Sequence, residues 1–119
     1  MDFVHATINV ENMEESLKFY QEIIGLDIDR RFNSSQGVEI VFLGKGDTKV
    51  ELIYDETIKK IDIGQHIALG FQVKSLDEMM KFVVENGIEI HSGPFNPNPN
   101  TKFVYVLDPN GLRIQFIEF

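Results

Sequence analysis

Three side chains in this sequence are of types that do chemistry at positions that ask for it: His5, Glu51 and Gln115. Gln115 lies in the closing stretch Asp108-Pro109-Asn110-Gly111-Leu112-Arg113-Ile114-Gln115-Phe116-Ile117-Glu118. Side chains alternate along a strand, so Leu112, Ile114 and Phe116 share one face and Arg113, Gln115 and Ile117 the other. That arrangement sets an amide among apolar neighbours, and a buried amide needs a partner. Glu51 stands between Val50 and Leu52, where an unpaired carboxylate is costly. His5 belongs to the alternating run Phe3–Val10, on the polar face with Thr7 and Asn9. A carboxylate can move a proton as a general base. Imidazole nitrogen with carboxylate and amide oxygen suits divalent Ni, Co or Zn. Two plainer readings stay open: His5 as a hydrogen-bonded cleft histidine, and Gln115 as a satisfied cleft amide.

Composition narrows the setting. The chain has 119 residues, which suits one domain (1–119) with a substantial core. Cysteine is absent, which excludes disulfides, thiolate metal sites and a cysteine nucleophile and fits a cytoplasmic protein. No apolar run approaches the ~18 residues of a membrane span. Met1-Asp2-Phe3-Val4-His5 lacks the basic-then-apolar pattern of a signal peptide. The net charge of -8 argues against a nucleic-acid partner. No membrane partner is expected, for want of a spanning run.

The elements that must position these residues follow from periodicity. Phe3–Val10 reads as a strand with Val4, Ala6, Ile8 and Val10 on its packed face. Asn12 and Glu15 form a capping box, Met13, Leu17, Tyr20 and Ile24 a helical stripe, and Gly25 a helix stop. Leu26–Asn33, Val38–Gly44 and Lys49–Tyr54 read as strands. Residues 56–65 read as a connector between a first module (1–55) and a second (66–119). The pattern then restarts. His66–Val73 alternates as a strand, and Ser75 with Glu78 repeats the capping box. Gly87 closes the second helix, and Ile88–His91 is strand-like. Ser92–Thr101, with Pro94, Pro97 and Pro99, reads as an extended loop. Lys102–Leu107 and the closing stretch complete the set. His91 and Glu118 are expected at the surface.

The two halves echo each other. Val10 with Lys18-Phe19 recurs as Val73 with Lys81-Phe82, an offset of 63. Lys49-Val50-Glu51-Leu52 recurs as Arg113-Ile114-Gln115-Phe116, an offset of 64. Such a repeat predicts an α+β chain of two βαβββ modules, each a four-stranded mixed sheet with one helix. Two such sheets facing each other would enclose a barrel-like cleft lined by His5, Thr7, Asn9, Glu51, Ile53, Gln115 and Ile117. A ferredoxin-like sandwich is the alternative fold, but it has two strands between its helices where this chain has four.

With paired modules, His5 opening the first strand, Phe19-Tyr20, Gly25-Leu26 and Asp108-Pro109-Asn110-Gly111, the chain resembles the vicinal oxygen chelate superfamily. Val50-Glu51-Leu52 and His66-Ile67-Ala68-Leu69 make it similar to glyoxalase I (lactoylglutathione lyase) within that group. The resemblance implies a lyase or isomerase acting on a 2-oxoaldehyde–thiol adduct through an enediolate, with a divalent metal ion. It implies His5, Glu51, His66 and Gln115 as ligands; since glutamine cannot titrate, Glu51 is left as the catalytic base. Thr7 and Asn9, on the polar face of the first strand, read as small-molecule substrate-binding residues, and Phe103 and Tyr105 read either as an aromatic substrate pocket or as core packing. The resemblance also implies a homodimer. The chain departs from the pattern at several places. The final metal-binding glutamate is Gln115, and the internal counterpart of His5 is Ala68, two residues beyond His66. Asn9 stands where bacterial glyoxalase I-like proteins carry arginine, and Asp55 where they carry asparagine. Both changes remove features suited to holding glutathione. The resemblance therefore also admits a metal-free binding module similar to bleomycin-resistance proteins, or another superfamily enzyme such as an epimerase or thiol transferase.

Overall fold

The structure is a computed structural model and describes residues 1–119. It divides into two compact units, Met1–Asp62 and Ile63–Phe119. The first contains β1 (His5–Asn9), α1 (Met13–Lys18) with a π-helical turn at Phe19–Ile23, β2 (Ile28–Ser35), β3 (Val38–Leu43) and β4 (Lys49–Asp55). The second contains β5 (Ala68–Gln72), α2 (Leu76–Glu85), β6 (Ser92–Asn98), β7 (Thr101–Leu107) and β8 (Arg113–Glu118). Each unit is thus a βαβββ module. The strands form two four-stranded sheets, ordered β1-β4-β3-β2 and β5-β8-β7-β6, and no closed barrel. The first and last strand of each module pair in parallel and the remaining pairs are antiparallel.

Local sequence chemistry explains the helices. Asn12 Oδ1 accepts from the Glu15 amide at 3.0 Å, and Ser75 Oγ accepts from the Glu78 amide at 3.2 Å. Each satisfies a donor that the first helical turn leaves unpaired. Gly25 and Gly87 follow the helices with φ of +85° and +78°, conformations that cost other residues a Cβ clash. The first helix does not continue as a plain α-helix to Ile24. It widens into the π turn, with the Ile24 amide bonded to the Phe19 carbonyl at 3.2 Å. Phe19 and Tyr20 are both buried there and meet edge to face at 5.1 Å.

Strand alternation sorts the faces as expected. In the first unit Ile8, Val41, Leu43, Val50 and Leu52 pack beneath Met13, Leu17 and Tyr20. In the second, Val104, Val106, Ile114 and Phe116 form the core with Leu76 and Val83. Glu118 departs from the expected surface role. It is half-buried, and its Oε1 accepts from the Leu76 amide at 2.8 Å, closing the N-terminus of α2 from the end of β8.

Strand ends shift by one or two residues throughout, as β1 at His5–Asn9 and β2 at Ile28–Ser35 show, and three departures from the sequence reading bear on the site or the sheet edge. Ile88–His91 is not a strand. His66 and Ile67 precede β5, which begins at Ala68. The proline-bearing segment, expected as a loop, forms β6 through Pro94 and Pro97. Proline lacks the ladder donor, so it is tolerated in strands only at edges and irregularities. Strand β6 meets both conditions: it is the outermost strand, and its register with β7 shifts between Ser92 and Phe95 and again between Phe95 and Asn98. Phe95 against Phe103 (5.3 Å) and Tyr105 (6.4 Å) supplies side-chain contact where hydrogen bonds are missing.

Candidate functional site

Sheet register decides which side chains share a row on the face away from α1. Thr7 pairs with Glu51, Glu51 with Phe42, and Phe42 with Arg30, so four strands contribute one residue each. Glu51 is 8% exposed. Its Oε1 accepts a hydrogen bond from Thr7 Oγ1 at 2.5 Å, and His5 Nε2 stands 3.4 Å from the same oxygen. His5 is two residues from Thr7 on β1, so it reaches Glu51 diagonally across the strand pair. The His5 ring also meets Phe42 edge-on at 5.5 Å. The expected partners of the buried carboxylate are therefore present: a hydroxyl and an imidazole, both at Oε1. Asn9 lies further along β1 opposite Ile53 and is exposed.

The second unit builds the same row with different chemistry. Gly70 pairs with Gln115, and Gln115 with Tyr105. Gln115 Nε2 donates to the Tyr105 hydroxyl at 3.4 Å, which is the partner that the amide required. Arg113 lies over the Tyr105 ring at 4.1 Å. Phe103 and Tyr105 are half-buried on this open face, 5.7 Å apart, rather than in the core. Where the first unit has the Thr7 hydroxyl beside Glu51, the second has bare backbone. A Cβ at Gly70 would lie 3.0 Å from Gln115 Oε1. Gly70→Ala is therefore expected to displace the amide while changing stability by less than about 1 kcal/mol. Side-chain amide NMR signals of Gln115 should shift with the melting temperature nearly constant.

His66 is exposed and outside β5. The position matching His5 in the strand pairing is Ala68, which faces Arg113 as His5 faces Lys49. Asp55 is engaged in its own turn, where the Thr57 hydroxyl and amide donate to Oδ1 at 2.7 and 2.9 Å and hold the carboxyl below the usual carboxylate range. No three His, Asp or Glu side chains gather around one point. His5 and Glu51 do fit a divalent ion as two members of a nitrogen and oxygen donor set, since their donor atoms already converge. Sequence reasoning missed Arg30 and Phe42 on this face. Their strands alternate irregularly, and only the register places them beside Glu51.

A family model described as the Glyoxalase/Bleomycin resistance protein/Dioxygenase superfamily matches residues 2–116. The chain belongs to that superfamily. Similar superfamily members include lactoylglutathione lyases of Neisseria meningitidis serogroup A, 31% identical over 128 residues, and Haemophilus influenzae, 30% identical over 128 residues. Each alignment covers 99% of this chain, with 91% and 93% of the relatives. The superfamily fold is shared with the trypanothione-dependent glyoxalase I of Leishmania major (TM-score 0.86, 22% identity, 99% of this chain and 86% of that one). It is shared also with glyoxalase I of Zea mays (TM-score 0.82, 24% identity), where this chain spans 44% of the other. No helix of this superfamily member is long and apolar enough to cross a membrane.

Proposed function

We propose that this protein is a glyoxalase I-like lyase that isomerises a 2-oxoaldehyde–thiol adduct through an enediolate. The observation that carries the reading is the convergence of His5 Nε2 and Glu51 Oε1 at 3.4 Å on the open face of the first sheet, in a chain similar over nearly all its length to lactoylglutathione lyases. The isomerisation moves one carbon-bound proton, while the hydroxyl proton passes from the oxygen of the first carbon to that of its neighbour. The carbon-bound proton leaves the carbon that bears sulfur and hydroxyl, and it returns to the neighbouring carbonyl carbon, giving a thioester and an alcohol. Glu51 is the base that takes and returns it. Gln115 cannot titrate, so it offers no second base. The Thr7 hydroxyl donates to Oε1, with His5 Nε2 3.4 Å from the same oxygen, and this fixes the carboxylate; Oε2 is the oxygen we assign to the proton. A divalent Ni, Co or Zn ion, when bound, would supply Lewis-acid stabilisation of the enediolate oxygens. His5 and Glu51 would hold it, and Gln115 is the candidate neutral oxygen donor at the matching place in the second unit. His66 is the weakest of the ligand candidates, being exposed outside the strand. Phe103 and Tyr105, with Thr7 and Asn9, would contact the small-molecule substrate. A homodimer completes the proposal, which sedimentation tests.

One observation favours a second reading, metal-free binding of a small molecule: the protein itself supplies a hydrogen-bond donor to Oε1 of Glu51, the Thr7 hydroxyl. The two readings part in one experiment. Protein purified without chelator and reconstituted with Ni, Co or Zn should convert the methylglyoxal hemithioacetals of several thiols. The His5→Ala variant should lose at least about 10-fold in metal affinity and most of its turnover. Inactivity with every metal, together with a small-molecule affinity indifferent to EDTA, would establish the binding module instead.

A further inference from the structure

The first unit holds two adjacent arginines in opposite circumstances. Arg31 is fully engaged: it reaches Glu14 at 2.6 Å and Glu39 at 2.8 Å, and these two carboxylates hold its guanidinium protonated well above the usual range. Arg30, one residue earlier, points to the other face and has no carboxylate partner. Its guanidinium carbon stands 4.5 Å from the Phe42 ring centre and 5.7 Å from that of Phe32. Those two rings stack at 6.4 Å and 18°. The result is a flat cation seated on an aromatic pair. A cation held over a ring face keeps its charge, and with no carboxylate partner the N–H donors of Arg30 are available to an oxyanion.

Arg30 also occupies a particular place. It ends the row Thr7, Glu51, Phe42, Arg30, two strand spacings or about 10 Å from Glu51. Phe42 alone separates it in that row from Glu51, and the same ring carries His5 on its edge. The chain as a whole is acidic, with a net charge of -8, and its long-range field repels anions. An unpaired, preoriented cation beside the candidate site is the local feature that reverses this. Arg113 over Tyr105 is a similar seat in the second unit, but one of its donors is directed to the Gln65 carbonyl at 3.4 Å.

We propose that Arg30 is a specificity-determining residue that binds a carboxylate carried by the thiol part of the substrate, several bonds from the reacting carbon. This rests on the lyase reading above, and it supplies an anion contact that Asn9 and Asp55 do not. The test compares methylglyoxal hemithioacetals of 3-mercaptopropionate and glutathione, which carry carboxylates, with that of 2-mercaptoethanol, which does not. Arg30→Met keeps the stem over Phe42 and removes the charge. It should raise KM for the two carboxylate adducts about 10- to 100-fold, the worth of a charge-assisted hydrogen bond. The effect on the 2-mercaptoethanol adduct should be at least tenfold smaller, and Arg30→Lys should restore part of the loss. Equal effects on charged and neutral adducts, or none on either, would overturn the proposal. If the wild type converts no adduct at all, the lyase reading fails and Arg30 is judged by calorimetry with S-methylglutathione. Binding by the wild type that Arg30→Met abolishes supports the anion site. Equal binding by both, or binding by neither, refutes it.

Discussion

Glu51→Gln is expected to lower kcat/KM for the favoured hemithioacetal by about 10²–10⁴-fold, the usual weight of a positioned general base, with the fold intact. The reasoning is geometric. Glutamine keeps the shape and a carbonyl oxygen for the Thr7 hydroxyl, now at 2.5 Å from Oε1. It can still face His5 across 3.4 Å. What it cannot do is accept a carbon-bound proton, and Gln115 cannot substitute, being an amide itself. Glu51 is 8% exposed, so removing its charge also removes a desolvation cost, and the melting temperature should hold or rise slightly. Steady-state kinetics and a thermal melt on the same sample read both effects. A variant that keeps more than a tenth of wild-type turnover would move the base elsewhere.

Leu52→Ala is the converse experiment one residue away. Leu52 has no exposed surface and pairs with Ile8 and Val41 on the helix-packed face of the same sheet. Truncating a buried leucine removes its transfer free energy and leaves a cavity, about 2–5 kcal/mol together. Urea denaturation should show the midpoint falling with an unchanged slope. The remaining folded protein should keep KM, because the side chain never reaches the open face. A loss under about 1 kcal/mol would mean that the core relaxes around the gap. Together the two variants separate the faces of β4 by a single step in sequence, as strand alternation requires.

That alternation is why so much was legible beforehand. The polar face of β1, the placement of Glu51 and Gln115 opposite the core, both capping boxes and the two-module repeat all depend on local periodicity or local hydrogen bonds. Equivalence of His5 with Ala68 also followed from counting along the repeat. What was not legible depends on pairing between distant segments. Arg30 and Phe42 become neighbours of Glu51 only through the β2–β3–β4 register, which passes two irregularities between Ile28 and Ser35. The Thr7–Glu51 hydrogen bond spans 44 residues. Pro94 and Pro97 argued locally for a loop, and aromatic contacts with β7 prevailed over that preference. Glu118 was assigned to solvent on parity alone, but the face opposite Gln115 is where the N-terminus of α2 waits for an acceptor.

The prolines of β6 also bear on how this protein behaves in a crowded solution. An outermost strand is an open invitation to a second chain, which can extend the sheet by pairing with its free backbone groups. In β6 two of seven residues have no amide hydrogen to offer, and the ladder is broken twice. A foreign strand laid along this border would find its hydrogen bonds interrupted wherever it tried to start. The segment that looked too irregular to be a strand thus acts as a gatekeeper against aggregation on that side of the second sheet.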